Sequence, residues 1–217
     1  IFASNNRPSS YAKLGIDYET LQTLRPDLIW LGITGFGPDS DEAAYDPVLQ
    51  ARAGWMALTG EPDGEPLVFG LPMVDLGAAE HAYGALMKAL YHRAVAPLSL
   101  KGEGPGVRAG SRLDISMLRS AAAWMASPLM LAALGETVTR RGNTHQFFAP
   151  VAVYPTRDGY VYIAVGNDRQ WDALTTLPGF ETLAEPQYQH NAGRIADGPR
   201  LDERLGACAR QLTTAAL

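Results

Sequence analysis

Leu28-Ile29-Trp30-Leu31-Gly32-Ile33-Thr34 is apolar at nearly every position and far too short to cross a bilayer. A strand with one wet face alternates apolar and polar side chains. A continuous run of this length therefore belongs to a strand covered on both faces, the setting of a parallel sheet. The turn Gly35-Phe36-Gly37-Pro38 closes it. Upstream, Ile1-Phe2-Ala3-Ser4-Asn5-Asn6-Arg7-Pro8 reads as a strand end running straight into a loop. Asp17 to Leu24 then reads as a short helix stopped at Arg25-Pro26, because proline disfavours helical geometry in the residue before it. Downstream, Tyr45-Asp46-Pro47 leads into a helical stretch ending at Thr59-Gly60. Arg112 to Ser116 returns as a strand and feeds a helix expected over Met117 to Leu134. Alternation of this kind predicts an α/β fold, an open parallel sheet with helices on both faces.

The stretch between these elements that carries the strongest chemical suggestion is Val74-Asp75-Leu76. Asp75 follows an apolar run from Leu67 and opens a long amphipathic segment, in which Leu76, Ala79, Tyr83, Leu86 and Leu90 recur at three- and four-residue steps and predict a buried face. A carboxylate at such a junction is placed to cap the helix, to accept its first free N–H groups and to stay ionised in the positive end of its dipole. An ionised carboxylate on rigid backbone is also what a covalent acyl-transfer nucleophile requires.

From Gly142 the texture changes. Val151 to Tyr154 and Tyr160 to Val165 flank Asp158-Gly159, a hairpin signal, and place a boundary near residues 136 to 148. Residues 1–141 are thus expected to form a larger domain and 142–217 the start of a smaller one. The segment Val95 to Gly110, with Gly102-x-Gly104-x-Gly106 between Lys101 and Arg108, reads as an exposed connection. The first residues, which lack a methionine, and the last, which end inside an expected helix at Gln211 to Leu217, suggest a piece of a longer chain. Such a piece is expected to lack strands, to leave apolar surface uncovered on Leu28 to Thr34, to associate and to show little activity by itself.

Several classes lose support. The net charge is −5 and the 18 basic residues form no stripe, which argues against a nucleic-acid partner. One cysteine, Cys208, and four scattered histidines imply neither a disulfide framework nor a metal, and favour a reducing, cytoplasmic setting without a membrane anchor. Gly35-x-Gly37 lacks the third glycine of a dinucleotide fingerprint, since Ser40 stands there, which weakens a nicotinamide oxidoreductase reading. No serine-nucleophile elbow or P-loop is present.

Asn5-Asn6-Arg7-Pro8 with Leu14-Gly15-x-x-Tyr18-x-x-Leu21 resembles the class III CoA-transferases, the family of formyl-CoA transferase, carnitine CoA-transferase and α-methylacyl-CoA racemase. The order is kept by Arg25-Pro26-Asp27-Leu28-Ile29, Gly35-Phe36-Gly37, Tyr45-Asp46-x-x-x-Gln50-Ala51-x-x-Gly54, Val74-Asp75-Leu76, Arg112 to Met117, Gly142-Asn143 and Ala149 to Tyr160. The resemblance implies a Rossmann-like open parallel sheet followed by part of a smaller α/β domain, and an interlocked homodimer. It also implies that acyl-CoA and a carboxylic acid are substrates and that no metal takes part. It assigns Asp75 as nucleophile and places CoA against Asn5, Asn6, Arg7, Lys13 and the segment Ala43, Ala44, Tyr45, Asp46. Arg7 and Lys13 are cations suited to the CoA phosphates.

The racemase branch carries a histidine where this chain has Tyr45. A phenol with a reference pKa near 10 is a poor partner for α-proton exchange, so transfer is expected and racemisation is the alternative. A non-catalytic CoA-binding module is the other reading. Ser9 replaces a glycine usual after the Arg-Pro turn, and a glycine-rich substrate loop has no counterpart near Gly142, which argues against formyl- or oxalyl-CoA. Arg52, Arg140 and Arg141 suggest a dicarboxylate. Backbone N–H groups near Gly54 or Gly77 are candidates for oxyanion support.

Overall fold

A computed structural model describes residues 1–95 and 110–217. The glycine-rich stretch from Gly102 to Gly106 lies outside them. The chain divides into two compact units, Ile1–Thr59 with Pro66–Thr139, and Gly60–Glu65 with Arg140–Leu217.

The first unit is built on three parallel strands in sequence order, β1 (Phe2–Ser4), β2 (Ile29–Thr34) and β3 (Ser111–Ser116). β2 is the central strand. Residues 28–32 are buried, so the expectation of uncovered apolar surface there does not hold: β1 and β3 occupy both edges of the strand, and helices cover its faces. Trp30 packs with Leu28 and Tyr11 under α1 (Pro8–Leu14) and α2 (Tyr18–Leu24). Its indole N–H donates to the Ile16 carbonyl at 2.8 Å, and its ring meets Tyr11 edge-on at 5.0 Å. α2 begins where expected because the Asp17 carboxylate accepts the Thr20 N–H at 2.8 Å.

Two short helices, α3 (Asp46–Arg52) and α4 (Trp55–Leu58), precede the long α5 (Met73–Val95), which packs along β2 and β3. Its buried residues are Val74, Gly77, Ala78, Ala82 and Ala89, whereas Leu76 and Tyr83 are more than half exposed. The expected buried face is therefore the wrong one. Small side chains let the helix approach its neighbours closely, and the indole nitrogen of Trp124 lies 3.1 Å from where a Cβ at Gly77 would sit. Leu76, Tyr83, Met87 and Tyr91 of α5 are exposed, and Leu86 and Leu90 only partly buried.

The helix expected over Met117 to Leu134 is two, α6 (Met117–Trp124) and α7 (Ala126–Ala133). Pro128 accounts for the break: it has no N–H to offer the Trp124 carbonyl, and its ring would press on that group in a continuous helix. α6 starts on Ser116, whose hydroxyl accepts the Arg119 N–H.

The second unit opens with the antiparallel hairpin β4 (Val151–Pro155) and β5 (Tyr160–Ala164), as the Asp158-Gly159 turn predicts. α8 (Asp168–Thr175), α9 (Asn191–Ala196) and α10 (Gly198–Ala209) follow. Trp171, Phe180, Leu183, Tyr188, Leu201 and Leu205 form its core. Gln211 to Leu217 runs in turns instead of a helix; the Asp158 carboxylate accepts the Thr214 N–H at 2.7 Å and holds this end to the hairpin turn.

Arg194, fully buried, binds the unit together. It donates to Asp168 at 2.7 Å and to the carbonyls of Ala149, Tyr188 and Gln189 at 2.8, 2.8 and 3.0 Å. Its guanidinium also lies 5.3 Å from the centre of the Trp171 ring.

Among the described residues, no helix is long and apolar enough to cross a membrane.

Candidate active site

The carboxyl ends of parallel strands are where an open α/β sheet leaves a crevice, because successive connections leave in different directions. Here the crevice is a cleft of about 480 Å³ within the first unit. Asn5, Asn6, Arg7 and Pro8 enter it from the end of β1. Ile33, Thr34 and Gly35 come from the end of β2, Ser40 and Glu42 to Tyr45 from the following loop, Asp46 from the start of α3, Asp75, Ala78 and Ala79 from α5, and Met117 from the start of α6. Eight of the nine sequence-predicted site residues thus line one cavity: Asp75, Asn5, Asn6, Arg7, Ala43, Ala44, Tyr45 and Asp46.

Asp75 sits differently from the expectation. Helix α5 already begins at Met73, and the Leu76 N–H donates to the Pro72 carbonyl, so Asp75 lies in the first turn and does not cap it. The cap is Asp46. One of its carboxylate oxygens accepts the N–H groups of Val74 at 2.7 Å and Asp75 at 3.0 Å. The other accepts the side-chain amide of Gln50 at 2.6 Å. The Asp75 carboxylate itself is exposed in the cleft and accepts no hydrogen bond from the described residues. Desolvation by the cleft wall, followed by the like charge of Asp46, raises its pKa above the ordinary aspartate value. Its environment therefore makes the carboxylate more basic, where a capping role would have made it less so.

A profile of CoA-transferase family III matches residues 1–217. The chain belongs to CoA-transferase family III. It is 35% identical over 201 residues to a succinate–glutarate CoA-transferase from Agrobacterium fabrum, covering 90% of this chain and 48% of that protein. It is 34% identical over 211 residues to an acetyl-CoA:oxalate CoA-transferase from Acetobacter aceti, covering 94% and 51%. Among solved structures, a CAIB/BAIF family protein from Brucella suis superposes with a TM-score of 0.82 at 31% identity, covering 98% of this chain and 55% of that one. The chain spans about half the length of these relatives.

Other residues of this family III chain fall outside the cleft or are already engaged. Lys13 is exposed in the last turn of α1, away from the lining. It and Arg7 both act on Asp41, whose carboxylate accepts the Ser9 N–H at 3.0 Å and is held below the ordinary range first by Ser9 and then by these two cations. Arg52 pairs with Glu42 and lies over the Phe36 ring at 4.9 Å. Arg140, in the second unit, donates to the Glu61 and Gly64 carbonyls. These contacts commit Arg52 and Arg140 to local structure and weaken their reading as carboxylate receptors. The Gly54 N–H donates to the Ala51 carbonyl, and Gly77 is buried within α5; neither lines the cleft.

Sequence reading missed Gln50 and the close contact that shapes the cleft wall. A Cβ on Gly35 would stand 2.1 Å from the Ala44 Cβ, so a side chain there must displace the Ala43 to Asp46 segment. Gly35→Ala is expected to cost about 1–3 kcal/mol. Gly84→Ala, where a Cβ meets nothing within 4 Å in the middle of α5, is expected to stabilise by about 0.5–1 kcal/mol. Urea midpoints of the two variants, moving in opposite directions, check the pair.

Proposed function

We propose that this chain carries the CoA-binding and nucleophile-bearing part of an enzyme that transfers CoA between carboxylic acids. The observation that carries the reading is the Asp75 carboxylate, open to the cleft on rigid helical backbone and facing a cavity that Asn5, Asn6 and Arg7 also line. Asp75 attacks the acyl-CoA carbonyl and CoA leaves as thiolate, giving an aspartyl mixed anhydride. The thiolate then attacks the aspartyl carbonyl and releases the donor acid. The acceptor carboxylate attacks the carbonyl of the resulting aspartyl-CoA thioester, breaking its C–S bond to expel CoA thiolate and form a new anhydride, and that thiolate finally attacks the acceptor's carbonyl, freeing the Asp75 carboxylate. Covalent catalysis here divides one difficult exchange into acyl transfers. Arg7 serves the CoA phosphates, and Lys13 adds positive charge outside the cavity.

Dicarboxylates are the substrate class we favour, because relatives named for succinate, glutarate and oxalate match at comparable identity. The oxalate-named relative also keeps oxalyl-CoA within that class, against the expectation from the glycine-poor sequence near Gly142. The assembly we infer is a homodimer acting in the cytoplasm. Tyr45 supports transfer over racemisation, since the racemase branch carries a histidine at this position and a phenol is the poorer partner for α-proton exchange.

A CoA-exchange screen of the protein with paired acyl-CoA donors and free acids, read by mass spectrometry, tests the reading. Exchange with at least one dicarboxylate pair is expected; deuterium uptake at the α-carbon without exchange would replace transfer by racemisation. Arg7→Ala is expected to raise the KM for acyl-CoA roughly tenfold or more, the loss of a charge-assisted contact of about 1.5–3 kcal/mol. An unchanged KM would return Arg7 to the solvated surface.

A further inference from the structure

We propose that Asp46 is a positioning residue for Asp75, anchored by Gln50 and holding the first turn of α5, and that it does not contact CoA; this rests on Asp75 being the nucleophile of the proposed transfer. The first N–H groups of any helix lack partners within it. Before α5 the chain offers only Leu71 and Pro72, neither with a side-chain acceptor, so the cap comes from a residue 28 positions earlier. Asp46 and Gln50 stand one turn apart on α3, only 7% and 1% exposed. A carboxylate and an amide buried this deeply persist only when their polar atoms are satisfied.

Each group is satisfied by the segment that leads to Asp75. The Asp46 carboxylate takes the Val74 and Asp75 N–H groups. The Gln50 carbonyl oxygen takes the Phe69 N–H at 2.8 Å, while its amide donates to Asp46. The chain from Phe69 to Asp75 is thereby held at both ends by two side chains of one helix. The hydrogen bonds to the carboxylate are charge-assisted and lie at the positive end of α5. The backbone of Asp75 is fixed, and its side chain is left free for the cleft.

A second consequence concerns charge. The titratable groups that share the cleft lining with Asp75 are Arg7, Glu42, Tyr45 and Asp46; Glu42 is paired with Arg52, and Asp46 is the charge that bears on Asp75. Asp46 thus disfavours ionisation of the nucleophile while its hydrogen bonds hold the nucleophile's backbone.

Asp46→Asn and Gln50→Ala test the assignment against a CoA contact. Both are expected to lower kcat by about 10- to 100-fold through misplacement of Asp75, leaving calorimetric binding of free CoA unchanged. Asp46→Asn is further expected to move the acid limb of kcat to lower pH, because the like charge is gone. Weakened CoA binding with kcat intact would overturn the proposal and make Asp46 a ligand contact.

Amide hydrogen exchange supplies a readout independent of turnover. The Val74 and Asp75 amides, which share one Asp46 oxygen, are expected to be protected in the wild type and exposed in Asp46→Ala and Gln50→Ala, with the middle of α5 unaffected. Equal protection in all three proteins would overturn the proposal. Native turnover in Asp75→Ala would instead sink the transfer reading while leaving the exchange result to stand.

Discussion

Asp75→Ala or Asp75→Asn is expected to reduce CoA exchange by several orders of magnitude while CoA still binds. The covalent step needs a carboxylate oxygen with a free lone pair, and among the described cleft residues the competitors are engaged. Both oxygens of Asp46 are engaged by backbone and Gln50, and Glu42 is paired with Arg52. An amide or a methyl group at position 75 cannot form the anhydride, so the loss should appear in kcat and not in CoA affinity.

The pH dependence has a definite sign. Desolvation and Asp46 raise the Asp75 pKa, so the reactive carboxylate is lost on acidification at a pH above the ordinary aspartate value of about 3.9. Single-turnover assays with mass-spectrometric trapping of the aspartyl adduct measure both effects. Near-native turnover in Asp75→Ala would remove the central claim.

Arg194→Leu is expected to cost about 2–4 kcal/mol, because the fully buried guanidinium is the donor to several carbonyls that would be left unsatisfied, while Asp168, 43% exposed, can turn to solvent. Three carbonyls and the Asp168 carboxylate lose a donor at once, and leucine replaces none of the hydrogen bonds. Arg194→Lys should recover only part of the loss, since an ammonium cannot reproduce the fork that reaches Ala149, Asp168 and Tyr188 together. Denaturant titration followed by circular dichroism measures both variants; a fall of less than about 1 kcal/mol in Arg194→Leu would show the clamp to be dispensable.

Acid acts on the same cluster. His190 first, and Arg194 second, hold Asp168 below the ordinary carboxylate range. Its contribution to stability is therefore fully present above the unfolded aspartate value near 3.9 and is lost only as pH falls through the lowered one.

What could be read beforehand follows the range of the forces involved. Strand β2, the short helix α2 and the hairpin around Asp158-Gly159 rest on local signals, namely apolar continuity, the stop at Arg25-Pro26 and turn chemistry, and all three appear where the sequence places them. The motif order also brought Asn5, Arg7, Tyr45 and Asp75 to one cleft before any coordinates. The failures are non-local. The three- and four-residue spacing of the larger apolar residues points to the wrong face of α5, because close packing selects Gly77, Ala78 and Ala82. The cap of that helix comes from Asp46 across 28 residues, and Arg194 collects partners up to 45 positions away. Spacing along the chain carries no trace of such pairings.

The six residues from Gly60 to Glu65 belong to the second unit although the first unit flanks them on both sides. The Gly60 carbonyl accepts the Gly142 N–H, and those of Glu61 and Gly64 accept from Arg140. The chain accordingly passes between units three times, after residues 59, 65 and 139. A single genetic crossover at residue 139 would therefore deliver a second unit without its own hexapeptide and a first unit bearing an orphaned one. Exchange of these units between relatives requires three crossovers, one at each junction, or inheritance of the pair as a block.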